Sequence, residues 1–233
     1  MKTTIPIKEK LLTAVFLHRP NRFLARVRLG SQRLYSFVPN PGRMSELLQP
    51  GKRVLLRKMP RIGRKTQYDL IGVCHKNQVI CVDSRIPSRL VHYALEHGDI
   101  AELDEYTGIR AEFKYDHVRF DFLLNNHSAP CLLEVKSCTL VQHGTALFPD
   151  AVTRRGRRQV EKLAEPAARG YRGCVLFVVQ RTDASVFSPD YEVDPRFGAA
   201  LCKAAQAGVD VYAYYSEFAG TEIALKGKLE VQL

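Results

Sequence analysis

No apolar run in this sequence is long enough to cross a membrane. Stretches such as GCVLFVV (173–179) fall far short of the roughly 20 residues a spanning helix needs. The first twenty residues, MKTTIPIKEKLLTAVFLHRP, scatter charge and lack an apolar stretch ending in a small-residue cleavage site, so a signal peptide is not expected. None of the six cysteines (Cys74, Cys81, Cys131, Cys138, Cys174, Cys202) forms a C-x-x-C pair. That argues against a zinc site and for free thiols in a reducing, cytoplasmic setting. Internal repeats and low-complexity segments are also missing, which excludes a solenoid or a disordered tail. What is present is an ordinary globular composition over 233 residues, 45% hydrophobic and 25% charged, with one unusual feature. Thirty-five Lys and Arg face 24 Asp and Glu, a net charge of +11. Such a chain attracts polyanions, nucleic acid first among them.

Two regions differ in texture. Residues 1–82 read as all-β. LLTAVFLHRP, RFLARVRLG, QRLYSFVP, KRVLLRKM and QYDLIGVCHKNQVICVD supply short strands, broken by NPGRMSELLQPG, where Asn-Pro-Gly signals a turn with a positive φ available at Gly42. About five strands in this length fit a small OB-like barrel. Within it, GKRVLLRKMPRIGRKTQYD crowds Arg53, Arg57, Lys58, Arg61, Arg64 and Lys65 together with no acid before Asp69, and Tyr68 follows. A basic hairpin beside an aromatic is a candidate contact for a nucleic-acid backbone. Residues 83–233 alternate elements in the order α-β-β-β-α-β-α-β, ending in the strand VDVYAYYSEF, which implies a mixed sheet with helices on its faces. Pro87 and Ser88 suit a helix start, Gly208 suits a helix end, and GCVLFVVQR reads as a strand covered on both faces.

The chemistry-bearing stretch is RFDFLLNNHSAPCLLEVKSC (119–138). It reads as two apolar strands interrupted by Asp121 in the first and by Glu134 and Lys136 in the second. Side chains two apart share a strand face, so Glu134 and Lys136 lie together. Pairing through the NNHSAP turn sets Asp121 beside Glu134. Two close carboxylates repel unless a cation lies between them, and hard oxygen ligands select Mg²⁺ or Mn²⁺. The Lys136 ammonium is then placed to orient or deprotonate a water, or to steady charge growing on a scissile phosphate. This is similar to the D…E-x-K pattern of PD-(D/E)xK nucleases.

The segments RPNRFLARV, PNPGRM, RFDFLL, LLEVKS and FPDAVTRRG occur in this order along nearly the whole chain. Together they resemble the SfsA family, the sugar fermentation stimulation proteins of bacteria and archaea. The resemblance implies an OB-like N-terminal domain, a PD-(D/E)xK (restriction-endonuclease-like) C-terminal domain, non-specific DNA binding, and DNA or RNA nuclease activity. It places the core acids on Asp121 and Glu134, the lysine on Lys136, and leaves Glu112 and Glu102 as equal candidates for a third metal-binding acid. The family pattern T-E-R-G, followed by a His three residues after the Gly, reads TRRGRRQ here, with Arg154 and Gln159 at the two altered positions. Arg154, Arg155, Arg157 and Arg158 at a helix start are candidate phosphate contacts, and Gln159 is a candidate contact to nucleic acid or to a water. Asn40 and Gly42 read as turn-formers, Arg119 as a salt-bridge former, and His92, His97, His117, His127 and His143 as surface groups.

The expectation is therefore a Mg²⁺- or Mn²⁺-dependent phosphodiesterase acting on DNA or RNA without sequence preference, with no membrane partner and with a homodimer open to it. The alternative is a non-catalytic DNA-binding regulator tied, through the resemblance, to sugar (maltose) metabolism. No helix-turn-helix signature supports base-specific reading.

Overall fold

The computed structural model describes residues 3–60, 63–126, 129–165 and 170–233. Arg61 and His127, and Pro166 beyond the second helix, lie outside the described residues.

The N-terminal part follows the alternation read from the sequence. After a short β1 (Thr4–Pro6) come β2 (Leu11–Asn21), β3 (Leu24–Leu29), β4 (Gln32–Phe37), β5 (Arg53–Lys58), β6 (Tyr68–His75) and β7 (Gln78–Cys81). β2 pairs with β3 and β5, β3 with β4, β5 with β6, and β4 closes on β6 through the parallel pair Phe37 and Asp69. The result is a closed five-stranded barrel in the order β2-β3-β4-β6-β5. Ala14, Phe16, Ala25, Val27, Val54, Leu56, Leu70 and Val73 fill it, and Met44, Leu47 and Leu48 from the 40–49 segment plug it. Period two puts these apolar residues inside and Arg26, Arg28 and Arg53 outside.

The second part carries α1 (Ile86–Glu96), then β8 (Gly108–Tyr115), β9 (Val118–Asn125), β10 (Cys131–Cys138), β11 (Leu140–Gln142), β12 (Thr145–Phe148), α2 (Arg154–Leu163), β13 (Arg172–Val179), β14 (Val186–Pro189), α3 (Pro195–Gln206), β15 (Asp210–Ala219) and β16 (Glu222–Val231). The sheet runs β8-β9-β10-β13-β15-β16. It is antiparallel at β8/β9, β9/β10 and β15/β16 and parallel at β10/β13 and β13/β15. α1 packs on one face over Leu133, Val135, Leu176 and Val178; α2 and α3 pack on the other over Leu132, Val175, Phe177 and Val179. β13 is accordingly buried from Gly173 through Val179, as a strand covered on both faces must be. The mixed sheet and the OB barrel match the expected fold class.

Several elements depart from the sequence reading. VDVYAYYSEF is not the last strand, because β16 follows and pairs with β15, with β14 and with β1. Gly42 does not take a positive φ; Met44 does, at 48°. Gly42 is needed instead for close approach, since a Cβ there would sit 2.5 Å from Asp150 Oδ2. No helix among the described residues is long and apolar enough to cross a membrane, and the six cysteines are free thiols.

Candidate metal and phosphodiester site

β9 and β10 pair through Leu124 with Cys131, Leu123 with Leu132 and Phe122 with Leu133. The ladder ends there; continued by one step, its register would set Asp121 opposite Glu134. Asp121 takes the ladder's place: Oδ2 accepts the Val135 N–H at 2.8 Å, and Oδ1 accepts the Ser88 hydroxyl at 3.2 Å. The carboxylate thus wedges between two diverging strands and is tied to α1. In the sequence Ser88 reads as a helix-start residue, yet the structure gives α1 no side-chain cap and spends this hydroxyl on Asp121.

Glu134 and Lys136 share the β10 face that looks toward α2, at 4% and 8% exposure. Lys136 Nζ donates to Glu134 Oε1 at 2.6 Å and to Gln159 Oε1 at 2.8 Å. Gln159, 5% exposed on α2, donates through Nε2 to the Arg119 carbonyl at 3.1 Å. Gln159 is therefore not a surface contact for nucleic acid: it is buried, and its amide bridges Lys136 on β10 to the backbone of β9. Glu134 Oε2 is buried and has no hydrogen-bond partner. Burial pushes the Glu134 carboxyl up to about 7; the Asp121 charge adds to this, and Lys136 and Arg155 oppose it. An anion in such a place costs free energy that a cation at Oε2 would offset.

The third acid is where the two candidates separate. Glu112 lies on β8 between the pairs Ala111 with Phe122 and Phe113 with Phe120, hence beside Asp121 on the next strand. Its backbone is left-handed, φ 54°, and its side chain is 75% exposed, with Oε2 3.7 Å from Arg119 Nη1. Glu102 follows α1 in a short turn of 3₁₀ helix, and its carboxylate accepts from Tyr214 Oη and Lys228 Nζ, two strands away from β10. The structure does not bring Glu102 to Asp121 and Glu134; it is a structural ion-pair partner. Among the described residues no cluster of three His, Cys, Asp or Glu side chains is set to hold a metal, so the arrangement is a two-carboxylate one.

Around this centre, α2 starts at Thr153, whose hydroxyl accepts the Gly156 N–H at 3.2 Å. Arg154, Arg155 and Arg158 are exposed there, while Arg157 is half-buried and lies 3.5 Å from Glu161. Of the basic hairpin, Arg53, Lys58 and Lys65 are exposed. Arg57 and Arg64 are not free to meet a polyanion. Arg57 is buried against Asp69 at 3.4 Å and Asp83 at 3.2 Å, and Arg64 also pairs with Asp69. Arg85 completes the network at 2.8 Å from Asp69 and 2.6 Å from Asp83. The sequence shows the run of cations with Asp69 at its end, but not that Asp69 and Asp83 are buried together among them. His92, His97, His117 and His143 are half-buried or exposed, as expected of surface groups.

An OB barrel joined to a mixed sheet with an acid–acid–lysine row at a strand fork defines the class: a two-domain protein of OB and restriction-endonuclease-like architecture. Two family models match the chain, an SfsA N-terminal OB domain over 17–82 and a sugar fermentation stimulation protein RE domain over 85–222. The chain belongs to the sugar fermentation stimulation (SfsA) family. It is 41% identical over 229 residues to the sugar fermentation stimulation protein homolog of Alkaliphilus metalliredigens, covering 97% of this chain and 99% of that one. It is 41% identical over 228 residues to the homolog of Clostridium tetani, with the same coverage. A solved structure, that of Pyrococcus furiosus SfsA in complex with Ca²⁺, superposes with a TM-score of 0.91 at 28% identity over the whole of both chains.

Proposed function

We propose that this protein is a divalent-metal-dependent nuclease that binds DNA or RNA without sequence specificity. The observation that carries the reading is Glu134 Oε2: a buried carboxylate oxygen with no partner, on a carboxyl pushed up to about 7, beside Asp121 and Lys136. The residues fit a Mg²⁺ or Mn²⁺ ion, which takes one or two protein carboxylates and fills its other positions with water and substrate phosphate. Glu134 and Asp121 would hold it, and when bound it would activate water and neutralise charge on the phosphodiester. Glu112, on the neighbouring strand, is the remaining candidate for an outer contact. That the Pyrococcus relative was solved with Ca²⁺ is in keeping with a cation site in this fold.

The chain's own contributions follow from its hydrogen bonds. Gln159 and Glu134 hold the Lys136 ammonium at a fixed point on β10, where it faces the developing negative charge of a phosphoryl oxygen. Ser88 and the Val135 N–H fix the Asp121 carboxylate. Arg154, Arg155 and Arg158, at the positive end of α2, attract backbone phosphates irrespective of sequence. The test is cleavage of labelled single- and double-stranded DNA and RNA. Wild type should cut in Mg²⁺ or Mn²⁺ and not in EDTA, and Glu134→Gln should bind as wild type but not cut. Binding without cleavage of any of these substrates by wild type would favour the non-catalytic regulator instead.

A further inference from the structure

Between Glu9 and Glu46 the chain contains no Asp or Glu but six arginines: Arg19, Arg22, Arg26, Arg28, Arg33 and Arg43. This acid-free stretch forms β2, β3 and β4, and the barrel's two-residue alternation sorts it. Ala25, Val27 and Ser36 point in and are buried. Arg26, opposite Tyr35, and Arg28, opposite Arg33, point out, and Phe37 pairs with Leu24 at the end of the ladder. Phe23 and Tyr35 are 41% and 44% exposed, large apolar rings that a barrel has no packing reason to leave in water. Phe23 stacks on Phe37 with centroids 6.2 Å apart and planes 15° apart. Guanidiniums flank the rings: Arg22 over Phe23 at 5.1 Å, Arg26 over Tyr35 at 5.3 Å and Arg64 over Phe37 at 5.8 Å. Among the described residues Arg22, Arg26, Arg28 and Arg33 form no ion pair with a carboxylate.

We infer that the outer face of β3 and β4 is a stacking platform for single-stranded nucleic acid, with bases on Phe23 and Tyr35 and phosphates on the unpaired Arg22, Arg26, Arg28 and Arg33. Exposed aromatic faces bind unpaired bases because every base has a π-face, whereas a duplex hides those faces and offers phosphates alone. An acidic protein partner would be met by the charges but gives no account of the ordered rings. The platform also leads to the candidate site. The Val38 N–H donates to the Phe23 carbonyl at 2.9 Å, and two residues on, Asn40 lines a small cavity with Ser137, the neighbour of Lys136. A strand lying across the barrel therefore runs toward β10. This inference rests on the nucleic-acid reading above and narrows its substrate to single strands.

The test is fluorescence anisotropy in EDTA with a labelled oligothymidylate and with a duplex of equal length, so that binding is read without cleavage. The double variant Phe23→Ala/Tyr35→Ala should lose about tenfold or more in affinity for the single strand and less than about threefold for the duplex. Tyr35→Phe, which keeps the ring, should bind as wild type. Tyr35→Ala alone, which removes a ring outside the barrel interior, should show part of the same loss. Unchanged single-strand affinity in Tyr35→Ala and the double variant, or an equal loss on both ligands, would overturn the platform. Because no metal is present, a failure here is separate from a failure of the nuclease reading, which would leave these binding losses intact and show no cleavage by wild type.

Discussion

At the scale of single residues, Glu134 concentrates the physical argument. One of its oxygens is held by Lys136 and the other by nothing, and burial raises its carboxyl from 4.5 to about 7. Between those two values the unfolded chain has released a proton that the folded chain keeps, so in EDTA stability falls as pH rises through this window. A divalent cation held at this oxygen would bind the ionised form and so reverse the trend. Mn²⁺ is expected to raise the melting temperature more above about pH 7 than below about pH 5, and Glu134→Gln is expected to remove that metal-dependent gain. Thermal melts of both proteins across pH check this, and a metal-induced shift surviving in Glu134→Gln would place the cation elsewhere. Asp121, Glu134 and Lys136 were legible in the sequence because charge inside apolar strands is conspicuous. The parts played by Ser88 and Gln159 were not. A serine at a helix start reads as a cap, and nothing local shows that Gln159, 23 residues from Lys136, will meet its ammonium.

At the scale of elements, the barrel was legible because alternation survives in nearly every strand, and the buried β13 because its apolar run is unbroken. β16 was not. Its EIALKGKLEV pattern contains Gly227, which reads as a break, whereas in the fold that glycine makes room for the Tyr215 ring, 3.0 Å from where a Cβ would lie. Two cations of the basic hairpin, Arg57 and Arg64, turn out paired for a related reason: charge is local in sequence, but burial of its partners is not. Asp69 and Asp83, fully buried, take Arg57, Arg64 and Arg85 from three separate segments. Removing one member of a buried ion network strands its partners. Asp69→Ala is therefore expected to cost about 3 kcal/mol or more in urea unfolding, against about 0.5 kcal/mol or less for the exposed Lys58→Ala. Equal, small effects would mean that the network is held no more tightly than surface pairs.

At the scale of the whole molecule, the two architectures are joined at several points that no local pattern announces. β1 pairs with β16 across more than two hundred residues of chain, and Ile5 and Ile7 enter the core under α1. The Met44 N–H donates to Asp150 at 3.0 Å, and the Arg19 guanidinium holds the carbonyls of Asn40, Gly42 and Arg43. The 40–44 loop of the barrel is thereby pinned beside the segment that leads into α2. In the proposed function the acid–acid–lysine row cuts the strand it is offered. This reading is tested most directly by the rate of cleavage of a labelled single strand in Mn²⁺ by wild type and by Lys136→Ala, at protein concentrations that saturate binding for both. A metal-dependent nuclease working through Lys136 should lose about a hundredfold or more in Lys136→Ala at equal occupancy; equal rates for the two proteins would rule it out.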